Sequence, residues 1–126
     1  MSARILVADD EADIRRLIVF TLRRRGYDVS EADAGDTALT KIQTEQPELA
    51  LLDVMMPGMS GLEVAHKVKS DPATAHIPII MLSAKGQAAE VEAGLASGAL
   101  SYLIKPFSPQ DLAARVAEVL GTPAGS

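Results

Sequence analysis

Five polar residues of this chain follow short apolar runs, in the positions where buried strands would end. They are Asp9, Asp10, Asp53, Ser83 and Lys105. If the apolar runs are parallel strands, three carboxylates, a hydroxyl and an ammonium meet at one edge of a sheet. That edge is where open α/β sheets bind their ligands. The cluster is therefore suited to hold a divalent cation and a phosphoryl group.

The charges of this cluster indicate the chemistry that it could support. Two carboxylates about 4 Å apart repel each other by ~4 kcal/mol at an effective dielectric constant of about 20. A divalent cation and Lys105 would together relieve that repulsion. Oxygen ligands from one or two carboxylates suit Mg²⁺ better than Zn²⁺. Because phosphoryl transfer relies on positioning and charge neutralisation, and an aspartate can be its nucleophile, an aspartyl-phosphate is a chemically reasonable product.

Apolar periodicity predicts the elements that would position these residues. The predicted strands are Ile5–Val7, Tyr27–Ala32, Leu49–Leu52, Ile79–Leu82 and Tyr102–Ile104. Apolar residues at helical spacing predict a helix after each strand. The first helix contains Ile14, Leu17, Ile18, Thr21 and Leu22 and ends near Gly26, and the second spans Asp36–Gln46 with Leu39 and Ile42 inward. The third is marked by Leu62, Ala65 and Val68, and the fourth lies around Ala88–Ser97. The last contains Leu112, Val116, Val119 and Leu120.

Five strands alternating with five helices predict an α/β fold of a single doubly wound domain. We expect a five-stranded parallel sheet of flavodoxin-like order 2-1-3-4-5 with helices on both faces. The predicted domain spans residues 1–120, and residues 121–126 have the composition of a short flexible tail or the start of a linker.

Composition narrows the classes of partner. The net charge of −5 argues against a nucleic-acid-binding surface. The basic run Arg23–Arg25 falls at a predicted helix end, where cations complement the helix dipole. The sequence has no cysteine, no secretory signal pattern and no apolar stretch approaching the ~20 residues that cross a bilayer. We therefore expect a cytoplasmic protein that binds neither nucleic acid nor membrane directly.

Three segments carry a resemblance to a known family. They are Ile5–Glu11 (ILVADDE), Leu52–Glu63 (LDVMMPGMSGLE) and Tyr102–Phe107 (YLIKPF). Their order and spacing resemble the receiver domain of two-component response regulators, the CheY-like family, over residues 3–120. The resemblance implies a signalling module that is phosphorylated by a histidine kinase or a histidine phosphotransfer protein, and that turns over no external metabolite.

The resemblance also implies a role for each site residue. Asp53 would accept the phosphoryl group. Asp10, Asp53 and the Met55 backbone carbonyl would ligate Mg²⁺, with Asp9 acting through water. Lys105 would pair with the phosphoryl oxygens.

The remaining implied residues form a switch. Ser83 would hydrogen-bond the phosphoryl group and draw its loop inward, and Tyr102 would then change rotamer. That change would expose or hide the face formed by the fourth helix, the fifth strand and the fifth helix, which would bind a downstream output protein or a fused output domain. Gly98-Ala99 is followed by Leu100-Ser101 where many receivers carry two acids, so we expect a monomer or a weak phosphorylation-dependent dimer.

Other interpretations of the same residues remain open at this point. Asp9 or Asp10 could cap the first helix, because aspartate is a favoured N-cap residue. A Mg²⁺-dependent phosphohydrolase is a second functional class, but such enzymes generally carry a second aspartate two residues after the nucleophile, where this chain has Met55. A third is a receiver-like scaffold that binds proteins independently of phosphorylation, whose hallmark would be loss of Asp53 or Lys105.

Overall fold

Five parallel strands form the sheet of the computed structural model, which describes residues 3–84 and 98–121. The strands are β1 (Arg4–Ala8), β2 (Asp28–Ala32), β3 (Leu49–Asp53), β4 (Ile79–Ala84) and β5 (Ser101–Lys105). Every neighbouring pair is parallel, and the spatial order is β2-β1-β3-β4-β5. The predicted fold class and strand order are therefore confirmed.

Four helices lie within the described residues. They are α1 (Ala12–Arg24), α2 (Gly35–Glu45), α3 (Gly61–Ser70) and a C-terminal helix (Pro109–Leu120). The second helix was predicted over Asp36–Gln46 and is shifted by one residue at each end, and each of the other three contains the apolar residues that predicted it. The helix predicted around Ala88–Ser97 lies outside the described residues. None of the described helices is long and apolar enough to cross a membrane.

The sheet separates two apolar cores. Leu6 and Ala8 of β1 belong to the core that α2 and α3 cover, whereas Ile5 and Val7 belong to the core covered by α1 and the C-terminal helix. Every residue of β3 is buried. Because both faces are covered, the inner strands β1, β3 and β4 contain nearly continuous apolar runs, whereas the edge strand β2 also carries Ser30 and Glu31. The continuous runs made the inner strands recognisable.

The apolar residues of α1 are not equally buried. Ile18 and Leu22 are fully buried, but Leu17 is 40% exposed and the neighbouring Phe20 is 60% exposed. Successive helical residues are rotated by about 100°, so Leu17 lies at the flank of the face that Ile18 and Leu22 turn towards the sheet. Helical spacing alone does not fix where the buried face ends.

The segment after β3 is held close to the end of that strand. The N–H of Gly61 donates to the Val54 carbonyl over 2.9 Å. A Cβ added at Gly61 would lie 2.0 Å from the Asp53 carbonyl oxygen, so only glycine allows this approach. The Ser60 hydroxyl then caps α3 by accepting from the Glu63 N–H over 3.2 Å. The start of α3 thus packs directly against the backbone of Asp53.

We expect Ser60→Ala to lower the free energy of unfolding by about 1 kcal/mol, because the replacement leaves an N-terminal N–H of α3 without its side-chain acceptor. Urea denaturation followed by circular dichroism measures this. The matched control is Ser60→Asp, which keeps an acceptor and should stay close to the original protein. Equal losses in both variants would contradict the capping argument.

Candidate functional site

The sheet brings the polar strand ends of the sequence analysis to one edge. Asp9 directly follows β1, Asp53 is the last residue of β3, and Lys105 is the last residue of β5. Strand register places Asp53 opposite Leu82 and Ser83 opposite Ile104. Since β1, β3, β4 and β5 are consecutive neighbours in the sheet, the polar groups at their carboxyl ends converge.

Three carboxylates form an acidic cluster with a geometry that fits a cation. One carboxylate oxygen from each of Asp9, Asp10 and Asp53 lies within 4.8 Å of the other two. Asp9 is fully buried and Asp53 is 5% exposed, whereas Asp10 is exposed to solvent. The buried Asp9 Oδ2 is paired with the Lys105 ammonium at 2.9 Å. An all-oxygen donor set that carries more negative charge than this one ammonium neutralises suits a hard divalent cation.

Lys105 is the cation of this site. Its ammonium lies 2.9 Å from Asp9 Oδ2, 3.4 Å from Asp53 Oδ1 and 3.4 Å from Glu11 Oε1. The contact with Asp9 is a close ion pair between two buried or nearly buried groups. One ammonium therefore faces several carboxylates, and the site retains an excess of negative charge.

The ionisation of Asp53 reflects that excess. Burial, and then the negative charge of Asp9, raise the pKa of Asp53 from 3.8 to about 7, against the lowering effect of Lys105. Burial alone would lower the pKa of Lys105, but its contact with Asp9 and the charges of Asp53 and Glu11 outweigh burial and raise that pKa. Lys105 thus stays charged at neutral pH, while Asp53 is poised between its two forms.

The other predicted site residues lie around this cluster. Ser83 is fully buried near the end of β4. Tyr102 of β5 is partly buried against the core that α2 and α3 cover. Met55 lies in the loop after Asp53, and 60% of it is exposed. The role predicted for Met55 belongs to its backbone carbonyl and not to this side chain. The placement is compatible with the roles assigned to these residues, and the roles themselves stay predictions.

The helix-capping interpretation of Asp9 and Asp10 is wrong. Glu11 occupies the N-cap of α1, and its side chain makes no capping hydrogen bond. Asp9 Oδ1 instead accepts from the Glu11 N–H over 2.9 Å, outside the helix. The two aspartates are therefore not needed to start α1.

Sequence reasoning missed the contact between Glu11 and Lys105. Glu11 is 61% exposed at its side chain and still reaches the Lys105 ammonium. The signal was its position directly after Asp10, but a carboxylate before a helix is also ordinary dipole stabilisation. Adjacency alone does not distinguish the two.

A comparison with protein families decides what this arrangement represents. The family model described as the response regulator receiver domain matches residues 5–117. The chain belongs to the receiver domain family of response regulators. The predicted resemblance to CheY-like receivers and to two-component signalling is confirmed.

Curated relatives of this chain include longer proteins. The chain is 47% identical over 116 residues to the phosphate regulon transcriptional regulatory protein PhoB of Pseudomonas aeruginosa, covering 92% of this chain and 51% of that protein. It is 42% identical over 116 residues to the DNA-binding response regulator MtrA of Mycobacterium leprae, covering 92% of this chain and 50% of that protein. The receiver domain thus spans about half the length of the curated relatives it matches.

Solved structures share the same fold. A putative response regulator from Chloroflexus aurantiacus superposes with a TM-score of 0.92 at 36% identity, covering 96% of this chain and 99% of the other. The chemotaxis response regulator CheY4 of Vibrio cholerae superposes with a TM-score of 0.88 at 34% identity, covering 94% and 99%. The receiver domain therefore resembles chains of its own length as well as halves of longer regulators.

Proposed function

We propose that this receiver domain is a phosphorylation-activated switch whose Asp53 accepts a phosphoryl group in a Mg²⁺-dependent reaction. The observation that carries the proposal is the position of Asp53, 3.4 Å from the Lys105 ammonium and within 4.8 Å of the carboxylate oxygens of Asp9 and Asp10. The donor would be a histidine kinase or a histidine phosphotransfer protein. Beyond this self-modification, and the hydrolysis that reverses it, the chain would turn over no metabolite.

The residues present fit a Mg²⁺ ion. Asp10, Asp53 and the Met55 carbonyl would be its direct protein ligands, and Asp9 would act through a water molecule. Mg²⁺ usually keeps several waters and binds through one or two carboxylates together with phosphate oxygens. A bound Mg²⁺ ion would neutralise the negative charge that develops on the phosphoryl oxygens.

Asp53 is the nucleophile in the proposed reaction. One carboxylate oxygen of Asp53 forms a bond to phosphorus while the bond from phosphorus to the donor's imidazole nitrogen breaks, and that nitrogen keeps the electron pair. The products are an acyl phosphate on Asp53 and an unphosphorylated donor histidine. Burial and the charge of Asp9 raise the pKa of Asp53 to about 7 in the metal-free site, and a bound cation would favour the ionised carboxylate that acts as the nucleophile.

Lys105 is the electrostatic partner of the transferred group. Its ammonium already lies 3.4 Å from the attacking carboxylate, so it needs little reorganisation to meet the phosphoryl oxygens. A donor placed in advance where charge develops is a large contribution to catalysis. The raised pKa of Lys105 keeps that charge in place throughout the neutral range.

The proposed output depends on Ser83 and Tyr102. A phosphoryl group on Asp53 adds roughly −1.5 to −2 charge and strong acceptor oxygens. Ser83 lies one residue beyond the register partner of Asp53, so its hydroxyl is the group we assign to those acceptors. Tyr102 would respond on the adjacent strand and alter the face that includes β5 and the C-terminal helix. A separate output protein or a fused output domain would bind there, either to a monomer or to a weak phosphorylation-dependent dimer.

The proposal is tested by incubating the protein with Mg²⁺ and acetyl phosphate and recording its intact mass. We expect a single phosphoryl increment, absent when the Mg²⁺ is chelated, and lost again at alkaline pH as expected for an acyl phosphate. Borohydride reduction followed by peptide mapping should place the modified residue at Asp53.

Two results would contradict the proposal. An increment that maps to another residue, or that forms equally well with chelator, would remove Asp53 and Mg²⁺ from the chemistry. No increment from acetyl phosphate, and none from a panel of phosphorylated histidine phosphotransfer proteins, would favour the alternative of a phosphorylation-independent scaffold. Sustained hydrolysis of a generic phosphate ester would instead favour a phosphohydrolase.

A further inference from the structure

Arg15 of α1 contacts the backbone of Asp9, one of the residues of the acidic cluster. Its Nη1 donates to the Asp9 carbonyl oxygen over 2.7 Å, and its Nε donates to Glu31 Oε1 over 3.1 Å. The Arg15 side chain is 19% exposed. A partly buried guanidinium with two acceptors in fixed directions holds its geometry better than an exposed ion pair does.

The carbonyl that Arg15 contacts belongs to the most buried carboxylate residue of the cluster. The Asp9 N–H donates to the Ala32 carbonyl over 3.1 Å, and Asp9 Oδ1 accepts from the Glu11 N–H over 2.9 Å. Arg15 therefore completes a set of contacts that fixes both peptide groups of Asp9. The direction of the Asp9 carboxylate, 2.9 Å from Lys105 at its other oxygen, depends on that set.

Glu31 in turn fixes Arg15. It lies on β2, next to the end of β1, and its backbone carbonyl accepts a hydrogen bond from the Lys41 ammonium of α2. The contacts thus run from α2 through β2 to α1, and from there to the backbone of Asp9. Of these groups, Arg15 is the one whose described hydrogen bond reaches the acidic cluster, at the Asp9 carbonyl.

We propose that Arg15 is a positioning residue for the metal site: it holds the Asp9 backbone so that the Asp9 carboxylate and its water ligand are aligned for Mg²⁺. This inference rests on the proposed function, because it assumes that the acidic cluster binds Mg²⁺. Replacing a residue that orients the ligands of a metal typically weakens metal affinity by about 10- to 100-fold.

The sign of the effect separates positioning from simple electrostatics. Arg15 carries a positive charge near a site for a divalent cation, so removing that charge should by itself strengthen Mg²⁺ binding. If Arg15 positions Asp9, removing it should weaken Mg²⁺ binding instead. The neighbouring Arg16 is the matched control, since its side chain is 78% exposed and its ion-pair contact is Asp13 at 3.8 Å.

The experiment is a calorimetric titration of MgCl₂ into the metal-free protein. We expect Arg15→Met to raise the Kd for Mg²⁺ by about tenfold, and Arg16→Met to leave it within about twofold or lower it slightly. Arg15→Lys keeps the charge but cannot make both contacts, so it should also weaken binding. Glu31→Gln leaves Arg15 able to donate to the Asp9 carbonyl. It should therefore raise the Kd for Mg²⁺ by a smaller factor than Arg15→Met does.

The outcomes distinguish this inference from the proposed function. If the original protein takes up no Mg²⁺ at millimolar concentrations, the proposed function fails. If it binds Mg²⁺ and both Arg15 variants bind it equally well or more tightly, the positioning role is overturned. Thermal unfolding is recorded for every variant, and if Arg15→Met does not fold, unchanged affinity in both Arg15→Lys and Glu31→Gln overturns the role.

Discussion

Replacing Lys105 with methionine should slow phosphorylation of Asp53 by acetyl phosphate by about 100- to 1000-fold, the usual cost of removing one positioned transition-state donor. The ammonium lies 2.9 Å from Asp9 and 3.4 Å from Asp53, so methionine fills its volume but leaves both carboxylates without their cation. The measurement is the pseudo-first-order rate constant of the mass increment at several donor concentrations.

A second readout separates catalysis from disruption of the site. Lys105 competes with a divalent cation for the same carboxylates, so its removal should strengthen Mg²⁺ binding even as the rate falls. The matched control is Lys67→Met, because Lys67 lies exposed on α3 and contributes no contact to the site. A slow rate accompanied by weaker Mg²⁺ binding would mean that methionine has distorted the pocket. A rate within tenfold of the original would refute the assigned role of Lys105.

The sequence predicted the fold and the acidic cluster for one physical reason. In a parallel sheet covered on both faces, the inner strands are nearly continuous apolar runs, and polar residues stand mainly where such a run ends. Asp53 and Lys105 are the last residues of β3 and β5, and Asp9 directly follows β1. Marking the ends of the runs therefore located the site, because the topology brings those ends together.

Contacts between side chains could not be predicted in the same way. Arg15 reaches the Asp9 carbonyl, and its second partner, Glu31, lies on a different strand. Both have the appearance of ordinary polar residues on exposed faces, and only the packing of α1 against β1 and β2 gives them partners. Glu11 was missed for a related reason, since its reach to Lys105 depends on the path of the chain between β1 and α1.

The extent of the buried faces was also beyond sequence reasoning. Leu17 has helical spacing with the buried residues of α1, but it is 40% exposed. Whether a flank residue is covered depends on the neighbouring helix, and the sequence contains no direct measure of that distance. Periodicity therefore predicts which way a helix faces better than how much of it is covered.

The acidic cluster should also affect stability, because carboxylates that repel one another destabilise the folded state when no cation is bound. Asp53 has a pKa of about 7 in the folded protein, above its ordinary value of 3.8. The folded state thus binds the proton more tightly than the unfolded state does, and the free energy of unfolding falls as pH rises through the interval from 3.8 to about 7. Above that interval the destabilisation is complete, and below it the destabilisation is absent.

Replacing Asp53 with asparagine removes this ionisation as well as the nucleophile. The variant should acquire no phosphoryl group. Without metal at pH 8, its free energy of unfolding should exceed that of the original protein by about 1–3 kcal/mol. The ceiling is about 4 kcal/mol, set by the difference between a pKa of 3.8 and one of about 7. The measurement is urea denaturation in the presence of a chelator at a series of pH values, where the difference between the two proteins should shrink towards pH 4.

Two controls make the interpretation of Asp53→Asn specific. Asp13→Asn removes a carboxylate whose side chain is 99% exposed and should not stabilise the protein. Saturating Mg²⁺ should stabilise the original protein more than Asp53→Asn, because a ligand stabilises the state that binds it and the variant has lost one of its proposed carboxylate ligands. The variant could instead be less stable than the original protein at pH 8, or equally stable at every pH. Either result would mean that Lys105 already neutralises Asp53 and that no repulsion among the carboxylates remains for a cation to relieve.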